Sequence, residues 1–255
     1  MIRLIFMIMV LLAGCQARAF GSAPDQSPAD TLTYTVASEK FRPRQLILPG
    51  ALVAAGAAGV AWGGSFNRCV RDEMSHISGG RHIHADDYVQ YVPAAAYLGL
   101  GAIPGVPCRH NFKERFLAEA SAYMTMAVLT NALKYTVREQ RPDASTRNSF
   151  PSGHTATVFT GAELIRQSYP AGIAAGAYTV AIGVAFLRLY NNRHWLNDVV
   201  AGAGIGILSA RVGMWMLPLY RKWFHITPRT DRAVALLPFY NASSQSAGIA
   251  LSMTL

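Results

Sequence analysis

Charge is scarce in this chain, and acidic charge is scarcest. Asp, Glu, Lys and Arg make up 15% of the 255 residues, with 14 acids against 23 bases, where ordinary soluble domains carry roughly 25% charged residues. With 51% apolar residues and a mean hydropathy of +0.21, the chain is less charged than a typical soluble protein and less apolar than a pure membrane bundle. Its length fits one domain. The net charge of +9 comes without any RNA- or DNA-binding signature, because the bases are scattered between apolar stretches. Anchors flanking membrane helices and an anionic substrate explain the charge, and no nucleic acid is expected as a partner.

Cysteine is rarer still. Cys15, Cys69 and Cys108 have spacings that fit no metal motif. A nucleotide loop is also missing: Gly202, Gly204 and Gly206 follow no strand, so the Ala- and Gly-rich run from Val199 to Ile207 reads as a surface where helices approach closely. Ser152 lies outside any Gly-x-Ser-x-Gly elbow, since Phe150 and Pro151 precede it. A serine-hydrolase set of Ser152, His154 and Asp198 therefore ranks low.

The first residues carry an export pattern. Arg3 precedes an apolar run from Leu4 to Leu12, which ends in Leu12-Ala13-Gly14-Cys15 and then Ala17-Arg18-Ala19. Residues 1–19 are thus expected to be a signal peptide or a lipoprotein signal. The first ending would leave Cys15 lipidated as the new N-terminus, the second is a small-x-small cleavage site, and lipidation is slightly preferred. In an exported chain Cys69 and Cys108 can pair as a disulfide or remain two small core residues. Residues 20–45, with Ser22, Pro24, Ser27 and Pro28, form a polar linker that holds a short alternating segment from Thr31 to Val36.

From Leu46 onward the pattern is helical. Apolar runs lie near residues 46–64, 88–105, 114–136, 155–168, 171–190 and 195–219, so the expected fold is all-α, with six helices between residues 46 and 224. Several of these are marginal as membrane spans, because a crossing helix needs about 20 mainly apolar residues and Glu119, Glu163 and Arg166 intervene. Residues 65–88 read as a solvated loop. Its His82 and His84 stand beside Asp86 and Asp87, but no further ligand spacing supports a metal, and contact with a headgroup is the alternative use. In the tail, residues 225–255, the segments 233–240 and 248–255 alternate as two short strands.

Three short blocks carry the chemistry. Lys134 is separated by six residues from Arg141-Pro142; Pro151-Ser152-Gly153-His154 follows; then Arg188 is separated by five residues from His194, and His194 by three from Asp198. A phosphoryl group in transfer spreads negative charge over its equatorial oxygens, so fixed cations and backbone donors must face those oxygens. Lys134, Arg141 and Arg188 can supply the cations. Gly153 permits close backbone approach to an anion, and the helix start after it adds N–H groups and a positive dipole end. On a helix, His194 and Asp198 share a face, so the carboxylate can hold the imidazole in one tautomer and make His194 a nucleophile. His154 would stand beside the phosphate as a general acid.

These blocks resemble the three signature blocks of the type 2 phosphatidic acid phosphatases, a signature shared with vanadium haloperoxidases and bacterial class A acid phosphatases. The six helical runs match that family's usual membrane-associated bundle, loosely over residues 46–220. The resemblance implies that Lys134, Arg141 and Arg188 bind phosphate with Ser152 and Gly153. It further implies that His194 attacks phosphorus to give a phosphohistidine, that Asp198 orients His194, and that His154 protonates the leaving group. It implies no metal and no cofactor. One departure is Leu187, which stands where the family usually has a small residue before the third-block arginine.

The function expected on this basis is hydrolysis of a phosphate on an envelope lipid, with lipid A leading and undecaprenyl diphosphate or phosphatidylglycerol phosphate as competitors, because rim residues decide what the site admits. A soluble periplasmic acid phosphatase, a vanadate haloperoxidase and a phosphate-binding membrane protein without turnover are the other readings. No obligate protein partner is evident. Basic residues at Arg42/Arg44, Arg109/Lys113/Arg115, Arg166 and Arg221/Lys222 place those turns in the cytoplasm and the motif loops in the periplasm. A cleaved signal followed by six spans would do the opposite. Either one segment lies in the interface, or the N-terminal segment is not exported, or the protein is a periplasmic bundle.

Overall fold

The computed structural model describes residues 41–227, 234–241 and 246–253. The expected signal, Cys15, the alternating segment Thr31 to Val36 and most of the linker lie outside the described residues. After a 3-10 turn at Pro43–Leu46 come α1 (Ile47–Trp62), α2 (Gly64–Ser78), α3 (Asp86–Val89), α4 (Val92–Gly99), α5 (Phe112–Val137), α6 (Gly153–Ser168), α7 (Ala171–Tyr190), α8 (Leu196–Trp215) and α9 (Leu217–Phe224). Two strands follow, β1 (Val234–Asn241) and β2 (Ser246–Met253). They pair antiparallel, with Val234 opposite Met253 and Asn241 opposite Ser246. The all-α class holds for the body of the chain, and the strands fall close to the two alternating segments of the tail.

Helix α6 is the central element: every residue from Thr155 to Ile165 is buried. Its sequence is not apolar enough to explain that by itself, and close approach to α8 does. A Cβ placed on Gly206 would lie 2.5 Å from the Ala156 carbonyl oxygen, and one on Gly202 would lie 2.6 Å from that of Ser152. The glycine run is therefore a packing surface, with α6 on one side and α1 on another.

Charged residues inside apolar helices point inward and are paired there. Glu163 receives both Arg166 nitrogens at 2.6 Å, Tyr178 Oη at 2.5 Å and Arg211 Nε at 3.2 Å. Arg115 donates to the carbonyls of Tyr97 and Leu98 and to Tyr169 Oη. Such pairing removes the cost of carrying these side chains in an apolar setting. It also corrects the expectation that Arg115 and Arg166 are turn anchors, since both are engaged within the protein.

Two further expectations are corrected, and one that was left open is decided. Residues 65–78 of the supposed loop lie in a helix: α2 buries Asn67, Val70, Met74 and Ser78 on one face and ends at Gly79, whose φ of 55° suits glycine. The segment is amphipathic but low in apolar residues, and its dense charge makes it read as a loop. The run 88–105 breaks into α3, α4 and a 3-10 turn at Leu100–Ala102, with Pro93 inside the start of α4, where proline is tolerated. Cys69 and Cys108 do not form a disulfide; Cys69 is exposed on α2, whereas the Cys108 thiol is buried and donates to the His110 carbonyl at 3.4 Å.

Among the described residues, three helical stretches are long and apolar enough to cross a membrane: Pro43–Trp62, Ala171–Tyr190 and Leu196–Phe224. The other apolar runs fall short of that, as expected where Glu119 and Glu163 intervene. The first of these stretches is mostly uncovered by protein, with Ile47 and Trp62 exposed.

Candidate active site

All three sequence blocks meet at one end of the bundle, where α5 and α7 finish and α6 and α8 begin. The opposite end is marked by Arg109 N–H on the Ser168 carbonyl, by Glu114 with Arg221, and by Gln45 with Arg211 and Trp215. Helix α1 thus enters from the end away from the site, and its last turns pack beside Asn197 at the start of α8.

The start of α8 is built around Asp198. Its Oδ2 accepts from Ser149 Oγ at 2.5 Å and from Trp195 N–H at 2.8 Å, and lies 3.3 Å from His194 Nδ1. The Trp195 bond satisfies one of the orphan amides of a helix N-terminus, so Asp198 caps its helix and holds the imidazole together. His194 and Asp198 are buried. Burial, followed by the charges of Arg188, Lys134, Arg141 and His154, holds the His194 pKa well below the usual histidine value. The imidazole is neutral near pH 7, with Nδ1 engaged by Asp198, which leaves Nε2 as the other ring nitrogen.

Ser152 caps α6. Its Oγ accepts from the Thr155 hydroxyl at 2.9 Å and from the Thr155 amide at 3.4 Å. Its own N–H is donated to the Asp198 carbonyl at 3.0 Å, which pins α6 to α8 and commits the amide that would otherwise reach an anion. Gly153 differs: a Cβ there would meet no atom within 4 Å, so its backbone borders open space. The serine-hydrolase set is not assembled, because the Ser152 hydroxyl partners Thr155 while His154 Nε2 faces Asp87 at 2.9 Å.

The cations come from three elements. Lys134, near the end of α5, donates to the Asn148 carbonyl at 2.6 Å. Arg141 is held in the loop by its amide on the Thr146 carbonyl at 3.0 Å. Arg188, buried on the last turn of α7, pairs with Asp86 and stands 3.5 Å from Asp87. The Nε atoms of Arg141 and Arg188 are buried without a protein hydrogen-bond partner. Orphan donors of this kind are costly unless something anionic completes them.

Asp86 and Asp87 are the pair that sequence reasoning missed as site residues. They arrive on α3, anchored by Asn191, whose side chain bridges the Ile83 amide and carbonyl at 2.9 and 2.8 Å. Two adjacent acids in an acid-poor chain were the available signal. With His154 they bring ligand atoms within 4.8 Å of one another, but both carboxylates are engaged, one by Arg188 and the other by His154. His84 Nδ1 lies 3.6 Å from Asp87, whereas His82 is exposed on the same segment. Burial and Arg188 lower the His154 pKa, and the hydrogen bond and charge of Asp87 oppose them. Partial burial would raise the Asp87 carboxyl, but its bond to His154 and the nearby cations prevail and hold it below its ordinary value. On the outer side, the Arg71 guanidinium lies over the Trp195 ring at 5.8 Å, bordering a recess that includes Val70, Met74 and His194.

The model of the PAP2 superfamily matches residues 116–222. A lipid A 1-phosphatase of Porphyromonas gingivalis is 29% identical over 225 residues, covering 84% of this chain and 50% of that protein. The chain thus spans about half the length of the curated relative it matches. The crystal structure of Aquifex aeolicus LpxE aligns with 56% of this chain and 92% of its own, at 24% identity and a TM-score of 0.44.

Proposed function

This chain belongs to the PAP2 superfamily, and on that premise we propose that it is a phosphatase that removes a phosphate from an envelope lipid, lipid A first among them. The observation that carries the reading is His194: buried, held through Nδ1 by Asp198, and surrounded by Lys134, Arg141 and Arg188. Binding alone needs the cations; a fixed neutral nucleophile next to a second histidine is the equipment of turnover.

In this reading the three cations, the Gly153 amide and the Ser152 hydroxyl take the phosphate oxygens. His194 Nε2 attacks phosphorus as the P–O bond to the lipid breaks, and His154 gives its proton to the departing oxygen. The now neutral His154 then takes a proton from water, which cleaves the N–P bond and frees phosphate. The residues supply both proton and nucleophile, so the scheme needs no metal.

Stretches long and apolar enough to cross a membrane support a lipid substrate, and the name of the Porphyromonas relative supports lipid A. The site faces the periplasm in this reading. Arg42, Arg44, Arg109, Lys113 and Lys222 support that orientation, because they lie toward the end of the bundle opposite the site. Entry of α1 from that end then starts the described chain on the cytoplasmic side, in conflict with the export signal expected over residues 1–19.

The test is phosphate release by detergent-purified protein and His194→Ala from lipid A, undecaprenyl diphosphate, phosphatidic acid and a water-soluble phosphomonoester, with chelator present. Histidine-dependent release from one lipid supports the proposal and names the substrate. Preference for the soluble ester points to an acid phosphatase, and substantial release by His194→Ala overturns the mechanism.

A further inference from the structure

Behind the nucleophile lies a carboxyl group that the scheme above does not use. Glu139 follows α5 in the turn that leads to Arg141, and its backbone carbonyl accepts from Ser149 N–H at 2.9 Å. The Asn197 side-chain amide reaches both Glu139 oxygens, at 3.3 and 3.1 Å, and also Asp198 Oδ1 at 3.3 Å. Two carboxyl groups therefore converge on one amide. Asn197 is fixed in turn: it is buried, and a Cβ on Gly59 of α1 would lie 2.6 Å from its Cβ.

The division of Asp198 is informative. Its Oδ2 already serves Ser149, Trp195 and His194, which leaves Oδ1 to face Asn197 and Glu139. The charged and titratable groups around this pair are Lys134 from α5, Arg141 from the loop and His194 at the start of α8, while α1 presents Gly59. Two carboxylates this close cannot both ionise without strong repulsion, and Asp198 needs its charge to orient His194.

We infer that Glu139 is a positioning residue: its protonated carboxyl donates a hydrogen bond to Asp198 Oδ1 and thereby keeps Asp198 Oδ2 directed at His194 Nδ1. The inference rests on the phosphohistidine reading. Burial, the charge of Asp198 and their shared hydrogen bond push the Glu139 carboxyl up to about 8, against the donation from Asn197. The proton is thus in place at neutral pH. Above that pH a second negative charge appears beside Asp198, forces the two carboxylates apart and stands near an anionic substrate.

Glu139→Gln keeps the shape and an N–H donor, whereas Glu139→Ala removes both. The glutamine variant should hold kcat within about threefold of wild type, and the alanine variant should lose about 10- to 100-fold in kcat with KM little changed. Wild-type kcat should fall as pH rises through about 8, and that limb should vanish in Glu139→Gln. The profiles are taken with an activated aryl phosphate, whose departure needs no proton from His154, and bound phosphate holds the Lys134 proton, so the alkaline limb of kcat isolates Glu139 while Lys134 appears in kcat/KM of both proteins. Superimposable kcat profiles, or a glutamine variant as damaged as the alanine one, would overturn the inference. Should wild type release no phosphate at all, the phosphatase reading fails, and difference infrared spectroscopy decides this one separately. A neutral-carboxyl C=O band that disappears as pH passes about 8 and is missing from Glu139→Gln supports it; the absence of such a band overturns it.

Discussion

His154 Nε2 lies 2.9 Å from Asp87 Oδ1 across 67 residues of sequence. The second signature block therefore depends on a short helix that belongs to none of the three. Asp87 works against burial and Arg188, both of which strip the proton from His154.

Removing that carboxylate should lower the His154 pKa further. Asp87→Asn is expected to move the alkaline limb of kcat to lower pH, because the acid loses its proton sooner. The loss should reach about 10- to 100-fold for a lipid alkoxide leaving group and be slight for an activated aryl phosphate, which leaves without a proton. Parallel pH profiles on the two substrate types check this.

Asp198→Asn should cost about 10²- to 10⁴-fold in kcat, since a side-chain amide can present the wrong partner to His194 Nδ1 and stabilise the wrong tautomer. Ser149→Ala removes one of three donors to the same oxygen and should cost about tenfold in kcat. It should also cost about 1–3 kcal/mol of stability, readable from denaturant unfolding in detergent.

The acid limb of kcat/KM should lie below the ordinary histidine value of about 6.5, because His194 must be neutral to attack and its surroundings hold its pKa down. Arg141→Ala deletes one of the responsible cations. The limb should then move up in pH while phosphate affinity falls, and a limb that moves down would contradict the assignment of Arg141 to the His194 surroundings.

Gly206→Ala tests the packing that sets the site's frame. The added methyl would meet the Ala156 carbonyl oxygen at 2.5 Å, a distance that forces α6 and α8 apart at a cost of about 1–3 kcal/mol. The expected result is a lower Tm in detergent, with kcat reduced more than KM as His154 and His194 lose register.

Chemistry was legible where residue type and local spacing suffice. His194 and Asp198 lie one helical turn apart, and helix periodicity alone brings the two side chains together. The long runs of α5, α7 and α8 were legible for a different reason, since each is a continuous stretch rich in apolar residues and long enough for a helix. Helix α2 was not, because it has few apolar residues and its dense charge outweighed the amphipathic period it does carry. Nor was the pairing of Arg188 with Asp86, for which a separation of 102 positions leaves no local pattern.

The sequence by itself determined which residues are proposed for the reaction: three cations, two histidines and one aspartate, in blocks whose spacing is short enough for local geometry to orient them. Tertiary structure alone decided what surrounds that equipment. Asp87 holds His154, Ser149 holds Asp198, Ser152 gives its amide to α8 rather than to an anion, and Glu139 meets Asp198 through Asn197. Each of these contacts joins elements distant in sequence, and such contacts arise from the close packing of α1, α6 and α8 at their glycines, which no single segment of chain encodes.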